Sequence, residues 1–172
     1  MPHPVASYPW DEIGVDLCVF EKENYLIICD YYSNFPEVCQ LQSTSSDSVI
    51  KAMKYVFSNL GICKECFSDN GLQFNSKAFR EFLNEYQFKH TTSSPKYLPS
   101  NGLIESSVKI VKNILKQSKS DGSDFYLNLW VYRSSPFENE KSPAALLYGR
   151  KIRSNLLVVE QFLTQNEAKE VF

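Results

Sequence analysis

Histidine is scarce in this chain of 172 residues: His3 and His90 are the only two. A closed zinc site takes four nitrogen or sulfur ligands. Cys63-Lys-Glu-Cys66 supplies half of one, and the sequence has no second pair, so a structural zinc centre is not expected. Long apolar runs are missing as well. None approaches the ~20 residues of a membrane span, and Met1 to Trp10 has neither the basic start nor the apolar stretch of a signal peptide. No membrane partner is expected. Five cysteines, at positions 18, 29, 39, 63 and 66, cannot all pair and sit mostly inside apolar runs. They read as reduced core residues of an intracellular protein. An excess of positive charge is also lacking, with 18 Lys and Arg against 20 Asp and Glu and a net charge of −2. Nucleic-acid proteins are usually basic, because Lys and Arg neutralise phosphates. For that class the distribution of charge has to decide, not its sum.

What is present suits one globular domain. The chain is 43% hydrophobic and 22% charged, and a chain of this length buries roughly 70% of its unfolded surface. No repeat or low-complexity stretch interrupts it. "DEIGVDLCVF", "NYLIICDYYS" and "FPEVCQL" are rich in β-branched and aromatic residues and joined by short polar links. They predict a three-stranded antiparallel meander. From Thr44 the period changes: Val49, Ile50, Met53, Val56, Phe57 and Leu60 recur at helical spacing, with Thr44 or Ser45 as cap and Gly61 at the end. "CKECFS" then reads as a short buried strand, Ser76 to Tyr86 as a second helix and "QFKHTTS" as a fifth strand. Strand–helix–strand–helix–strand implies parallel pairing through right-handed crossovers. Three more helices are expected: about Asn101 to Ser120, Asp124 to Ser134, and "SPAALLYG", where Ser142 caps, Pro143 opens and Gly149 closes.

Three carboxylates need a reason. Asp16 lies in "EIGVDLCVF", where Ile13, Val15, Leu17 and Val19 take one strand face and Gly14, Asp16, Cys18 and Phe20 the other. Both faces are largely apolar, as for a strand covered by helices on each side. A carboxylate there needs a distant cation, a backbone amide or a metal. Asp69 ends a strand of the same sheet, where α/β proteins gather ligand groups, although Asp-Asn-Gly is also ordinary turn chemistry. Glu105 is expected in the first turn of the helix beginning near "SNGLIE", where an acid also complements the helix dipole. At 100° per residue, Lys109, Lys112, Lys116 and Lys119 share its arc. Ile104, Val108, Val111 and Leu115, with Leu103, Ile110 and Ile114, cover the buried side. The stripe is either a solvated face or a phosphate-binding one. Two or three convergent carboxylates are what magnesium or manganese requires, and paired ions activate a nucleophile and steady a leaving oxygen at a phosphodiester.

In this order the residues resemble the catalytic core of retroviral and retrotransposon integrases, a branch of the ribonuclease H-like superfamily. The family has an aspartate in the first strand, one after the fourth, and a glutamate thirty-five residues beyond. Asp69 and Glu105 have thirty-five residues between them. "PWDEIGVDL", "YLIICDYYSNFPEV", "FSDNGLQFNSKAFREF", "TSSPKYLPSNGLIESSVKIVKNIL" and "YRSSPFENEKSPAALLYGRKIRSNL" resemble gypsy-type elements, from about Pro9 to Leu157. The resemblance implies an α/β fold, a five-stranded mixed sheet flanked by helices, with the core domain over 1–160 and an unassigned tail over 161–172. It implies that Asp16, Asp69 and Glu105 ligate Mg²⁺ or Mn²⁺, two ions with DNA bound, for 3′-end processing and strand transfer. It also implies DNA contacts at Lys109 and Lys112, a stripe that Lys116 and Lys119 extend by geometry. Asn70 and Asn101 are expected beside the site or in its loop. Three features depart from the family: Ser106 replaces a basic residue after the glutamate, Leu98-Pro99 replaces Pro-Gln, and the flanking zinc and basic β-domains are not expected in this stretch.

Three functions stay open on the sequence. The first is a polynucleotidyl transferase core acting on DNA, with no small-molecule substrate. The second is a host-adopted, non-catalytic module binding DNA or protein, and the third a ribonuclease H-type or resolvase-like nuclease. Family cores dimerise, and "DFYLNLWVYR" offers aromatic surface for that or for plain core packing. Nuclear location follows from the inferred substrate.

Overall fold

The computed structural model describes residues 6–92, 98–137 and 141–155, with backbone alone at 98–101. The tail 161–172 and the end of the expected core domain, 156–160, lie outside the described residues. Strands β1 (Glu12–Phe20), β2 (Glu23–Asp30) and β3 (Pro36–Leu41) form the antiparallel meander. Helix α1 (Ser46–Leu60) crosses to β4 (Glu65–Ser68), and α2 (Lys77–Tyr86) leads to β5 (Lys89–Thr92). Both later pairings, β1 with β4 and β4 with β5, are parallel, giving the order β3-β2-β1-β4-β5. Helices α3 (Leu98–Asp121), α4 (Phe125–Ser134) and α5 (Pro143–Tyr148) complete the described chain. The expected mixed five-stranded sheet with flanking helices is the observed one.

Capping sets the helix ends. The Ser45, Ser76 and Ser142 hydroxyls accept the N–H groups of Ser48, Phe79 and Ala145, and the Asp124 carboxylate accepts those of Tyr126 and Leu127. Each supplies a partner to a first-turn donor that has none within its helix. Gly61 and Gly149 close α1 and α5 at φ +93° and +65°, a region costly to any residue with a Cβ.

The central strand β1 is covered on both sides. On one face Ile13 and Val15 join Leu26, Ile28, Met53, Phe57, Phe79 and Phe82 in the larger core. On the other, Cys18, Ile27 and Cys29 pack on Ile104, Val111 and Leu115 of α3. Burial pushes the thiols of Cys29 and Cys63 up to about 12 and that of Cys39 to about 11, so all three stay protonated at neutral pH.

Two features differ from expectation. A single 3₁₀ turn, Leu72–Phe74, follows Asp69-Asn70-Gly71. Helix α3 begins at Leu98, not near Asn101, so Glu105 lies two turns inside it and Asn101 is on the helix instead of in a loop. Pro99 fits because first-turn N–H groups have no intrahelical acceptor, so its missing donor costs nothing there.

Gly14 shows how tightly the α3 face is filled. A Cβ on it would stand 2.5–2.9 Å from the ring and hydroxyl of Tyr31, itself stacked on Phe67 at 5.7 Å. Gly14→Ala is expected to destabilise the fold by about 1–3 kcal/mol, the usual cost of overpacking. Denaturant unfolding would measure the loss as a lower midpoint at unchanged slope.

Candidate metal centre and nucleic-acid interface

The carboxylates are placed by strand register. β1 and β4 pair as Glu12 with Glu65, Ile13 with Cys66 and Gly14 with Phe67. Continued two residues beyond the ladder, the same register brings Asp69, the residue just past β4, level with Asp16. Parallel partners share a face, so both aspartates project toward the α3 side. Glu105 reaches the same place from the exposed surface of α3. Burial raises the Asp16 carboxyl above its ordinary range, and the charges of Asp69 and Glu105 raise it further. The N–H of Leu17, at 2.8 Å, and the charge of Lys112 act the other way.

Among the described residues no three His, Cys, Asp or Glu side chains stand close enough to grip an ion. Asp69 Oδ1 instead accepts the Gly71 N–H at 2.9 Å. The donor set still fits a hard divalent cation, since it consists of carboxylate oxygens alone. The repulsion at Asp16 is what such an ion would relieve. Asn70 stands beside the site with its side-chain and backbone oxygens both taking Asn75 Nδ2, at 2.6 and 3.2 Å. Its role is to brace the turn. The side chain of Asn101 lies outside the described residues.

The lysines differ among themselves. Lys109, Lys112 and Lys116 line an open depression of about 460 Å³ together with Glu105, Val108, Asn113 and Phe20. Lys119 lies beyond it and is ion-paired with Glu21 in the β1–β2 turn. Glu21 and Lys22 hold positive φ, 49° and 69°, a conformation that two-residue hairpins demand. Sequence reasoning placed Phe20 on the Asp16 face but gave it no part, and it passed over Asn113. Leu103, expected on the buried side, is exposed. The "DFYLNLWVYR" segment divides, with Leu129 buried and Tyr126 and Leu127 exposed.

Asp30 shows by contrast what a satisfied carboxylate looks like. It is fully buried and accepts the N–H groups of Trp10, Tyr32 and Ser33 and the Ser33 hydroxyl. Those bonds occupy most of its acceptor capacity. For Asp16 the described residues give one, from its own neighbour.

Comparisons with known proteins bear on the family and the fold. Residues 13–97 match the family described as integrase core domain. An uncharacterized protein of Caenorhabditis elegans is 32% identical over 162 residues, covering 90% of this chain and 13% of that protein. The Gag-Pro-Pol polyprotein of Human T-cell leukemia virus 2 is 31% identical over 96 residues, covering 56% of this chain and 6% of the polyprotein. The chain thus spans a small part of the curated relatives it matches. Among solved structures, the HTLV-2 integrase catalytic core domain in complex with magnesium, in its dimeric form, superposes with a TM-score of 0.69. That match has 21% identity and covers 83% of this chain and 97% of the other.

The electrostatics of Asp16 give a test with a definite sign. A carboxyl whose pKa is raised on folding binds its proton more tightly in the folded state. Its ionised form therefore costs stability, and the cost grows as pH rises from the unfolded value, about 3.9, through the raised one. In the absence of divalent metal, Asp16→Asn is expected to raise the melting temperature at pH 7. The difference should shrink toward zero below about pH 4, as followed by calorimetry across pH.

Proposed function

We propose, for a chain that carries an integrase core domain over residues 13–97, that it is the catalytic part of a divalent-metal-dependent polynucleotidyl transferase acting on DNA. The observation that carries this reading is the approach of Asp69, just past β4, to Asp16 on the parallel strand β1, opposite Glu105 and beside the lysine depression. Asp16, Asp69 and Glu105 would hold Mg²⁺ or Mn²⁺, two ions with DNA bound. Ions so held would activate the attacking oxygen and stabilise the leaving one.

The chain's own residues do the rest. Lys109, Lys112 and Lys116 bind backbone phosphates and fix the register of the DNA end beside the carboxylates. Strand β1 under Asp16 and the Gly71 N–H on Asp69 hold the carboxylate oxygens in place through the reaction. In the first step water attacks a phosphodiester near the 3′ end: a new P–O bond forms, the old P–O bond breaks, and the leaving oxygen gains a proton. In the second step the freed 3′-hydroxyl attacks a target phosphodiester in the same way. The reading includes a homodimer of cores, for which exposed Tyr126 and Leu127 are candidate contacts, and the nucleus as the place of the substrate.

A branched DNA oligonucleotide mimicking an integration intermediate tests it. Incubated with Mn²⁺ or Mg²⁺, the protein should resolve the strands, and Asp69→Asn should lower the rate by about 10³-fold or more, the scale of several kcal/mol of lost charge stabilisation. A folded protein that binds this DNA but never cleaves it would turn the reading into that of a binding module.

The lysines give a second test. Lys112→Ala should reduce the slope of log affinity against log salt by about 0.9, one phosphate contact. Lys119→Ala should reduce it by less, because Glu21 already neutralises that ammonium. In a Glu21→Gln background the two effects should converge. Anisotropy titrations of a labelled duplex between 50 and 200 mM salt would measure all three.

A further inference from the structure

Asp69 lies past the hydrogen-bonded sheet. The β1–β4 ladder ends at Phe67 and the β4–β5 ladder at Ser68, so neither strand pairing fixes the aspartate. What reaches it is a side-chain chain from β5. The Ser68 hydroxyl donates to the Asp69 carbonyl at 2.8 Å and stands 2.6 Å from His90 Nε2. A hydroxyl has one proton to give. Where that proton goes to the Asp69 carbonyl, the bond to Nε2 requires the imidazole tautomer that carries its hydrogen there. His90 is itself clamped: its ring packs edge-on to Phe79 at 5.2 Å and against Phe74 at 6.1 Å. Both phenylalanines belong to the larger core.

We propose that His90 is a positioning residue, which through the Ser68 hydroxyl anchors the Asp69 peptide to the core and so aims the carboxylate at Asp16. The proposal deepens the metal-binding reading above and rests on it. A ligand held only by its own turn, through the Gly71 N–H, would otherwise shift with that turn, and each shift would weaken convergence on a shared ion. Outer partners that orient a metal ligand are worth about 10–100-fold in metal affinity when lost. Phe fills the space of the imidazole but donates nothing. Gln can return an N–H donor near the position of Nε2.

The experiment is Mn²⁺ titration of the intact chain by calorimetry, alongside thermal melts. Wild type, Asp69→Asn, His90→Phe, His90→Gln, Ser68→Ala and the Ser68→Ala/His90→Phe pair would be compared. Expected are weaker Mn²⁺ binding by about 10-fold in His90→Phe, partial recovery in His90→Gln, and a double variant no weaker than the worse single one, since both act on one path. Additive losses, or His90→Phe binding Mn²⁺ as wild type does, would overturn the inference while leaving the metal reading intact. Should His90→Phe fail to fold, Ser68→Ala decides alone, and unchanged affinity there overturns the link. Wild type that binds no Mn²⁺, or binds it equally well as Asp69→Asn, would remove the metal reading and this inference with it.

Discussion

Three residue pairs, Glu12 with Glu65, Ile13 with Cys66 and Gly14 with Phe67, join β1 to β4, and the geometry of the site depends on where that short ladder lies. A one-residue slip would turn Asp69 to the opposite face, because side chains alternate along a strand. The ladder is held in register from both sides. Ile13 and Cys66 are both fully buried in the larger core, and Gly14 leaves room for Tyr31 to lie over the strand and stack on Phe67. The start of β1 is pinned as well. Trp10 donates its backbone N–H to Asp30 and its indole N–H to the Gly61 carbonyl at the end of α1. The crossover helix, the entering strand and the meander thus meet at one side chain, and packing far from the carboxylates sets their relative height.

Charge is organised on the same scale. The chain is acidic overall, yet one surface of α3 gathers Lys109, Lys112 and Lys116 in a single depression next to Glu105. At physiological salt, exposed charges more than about 8 Å apart are largely screened from each other. A phosphate in that depression would feel the three ammonium groups nearby more than the total of −2. The hairpin carboxylate of Glu21 limits the stripe at its far end by occupying Lys119.

The fold was legible in the sequence because its signals are local and repeated. The change from period 2 to period 3.6 after Thr44, and the serines and aspartate that cap four helices, need no tertiary knowledge. Asp16 and Asp69 stood out as carboxylates within or ending apolar strands, but only the ordered set of motifs and the spacing to Glu105 singled them out. The start of α3 was harder to see, since a proline two positions inside a helix reads as a break until the free first-turn donors are considered. Other features depend on pairs distant in sequence. Ser68 and His90 are 22 residues apart. Arg133 gives two N–H groups to the Pro36 carbonyl, 97 residues away, while stacked over Phe35. No periodicity announces such contacts, because neither partner breaks its own element's pattern.

Asp16 and Asp30 are two strand aspartates in different surroundings. They sit on adjacent antiparallel strands, and burial raises both carboxyls. In the sequence each is an aspartate among apolar residues, and nothing local ranks one above the other. Their hydrogen bonds do. Asp30 has four donors turned toward it and ties the strand entry to the β2–β3 turn, so substitution there would strand several buried N–H groups. Asp16 has its neighbour's N–H, and the charges of Asp69 and Glu105 act on it against that of Lys112. At Asp16 the charge of Lys112 does not offset burial and the two acids, so the carboxyl stays raised, and ionising a half-buried acid there costs stability. The fold tolerates that cost by burying Ile13 and Val15 on the reverse face of the same strand, each worth about 1.5–3 kcal/mol. One hydrogen bond among the described residues leaves most of the acceptor capacity of Asp16 unused, whereas that of Asp30 is nearly filled.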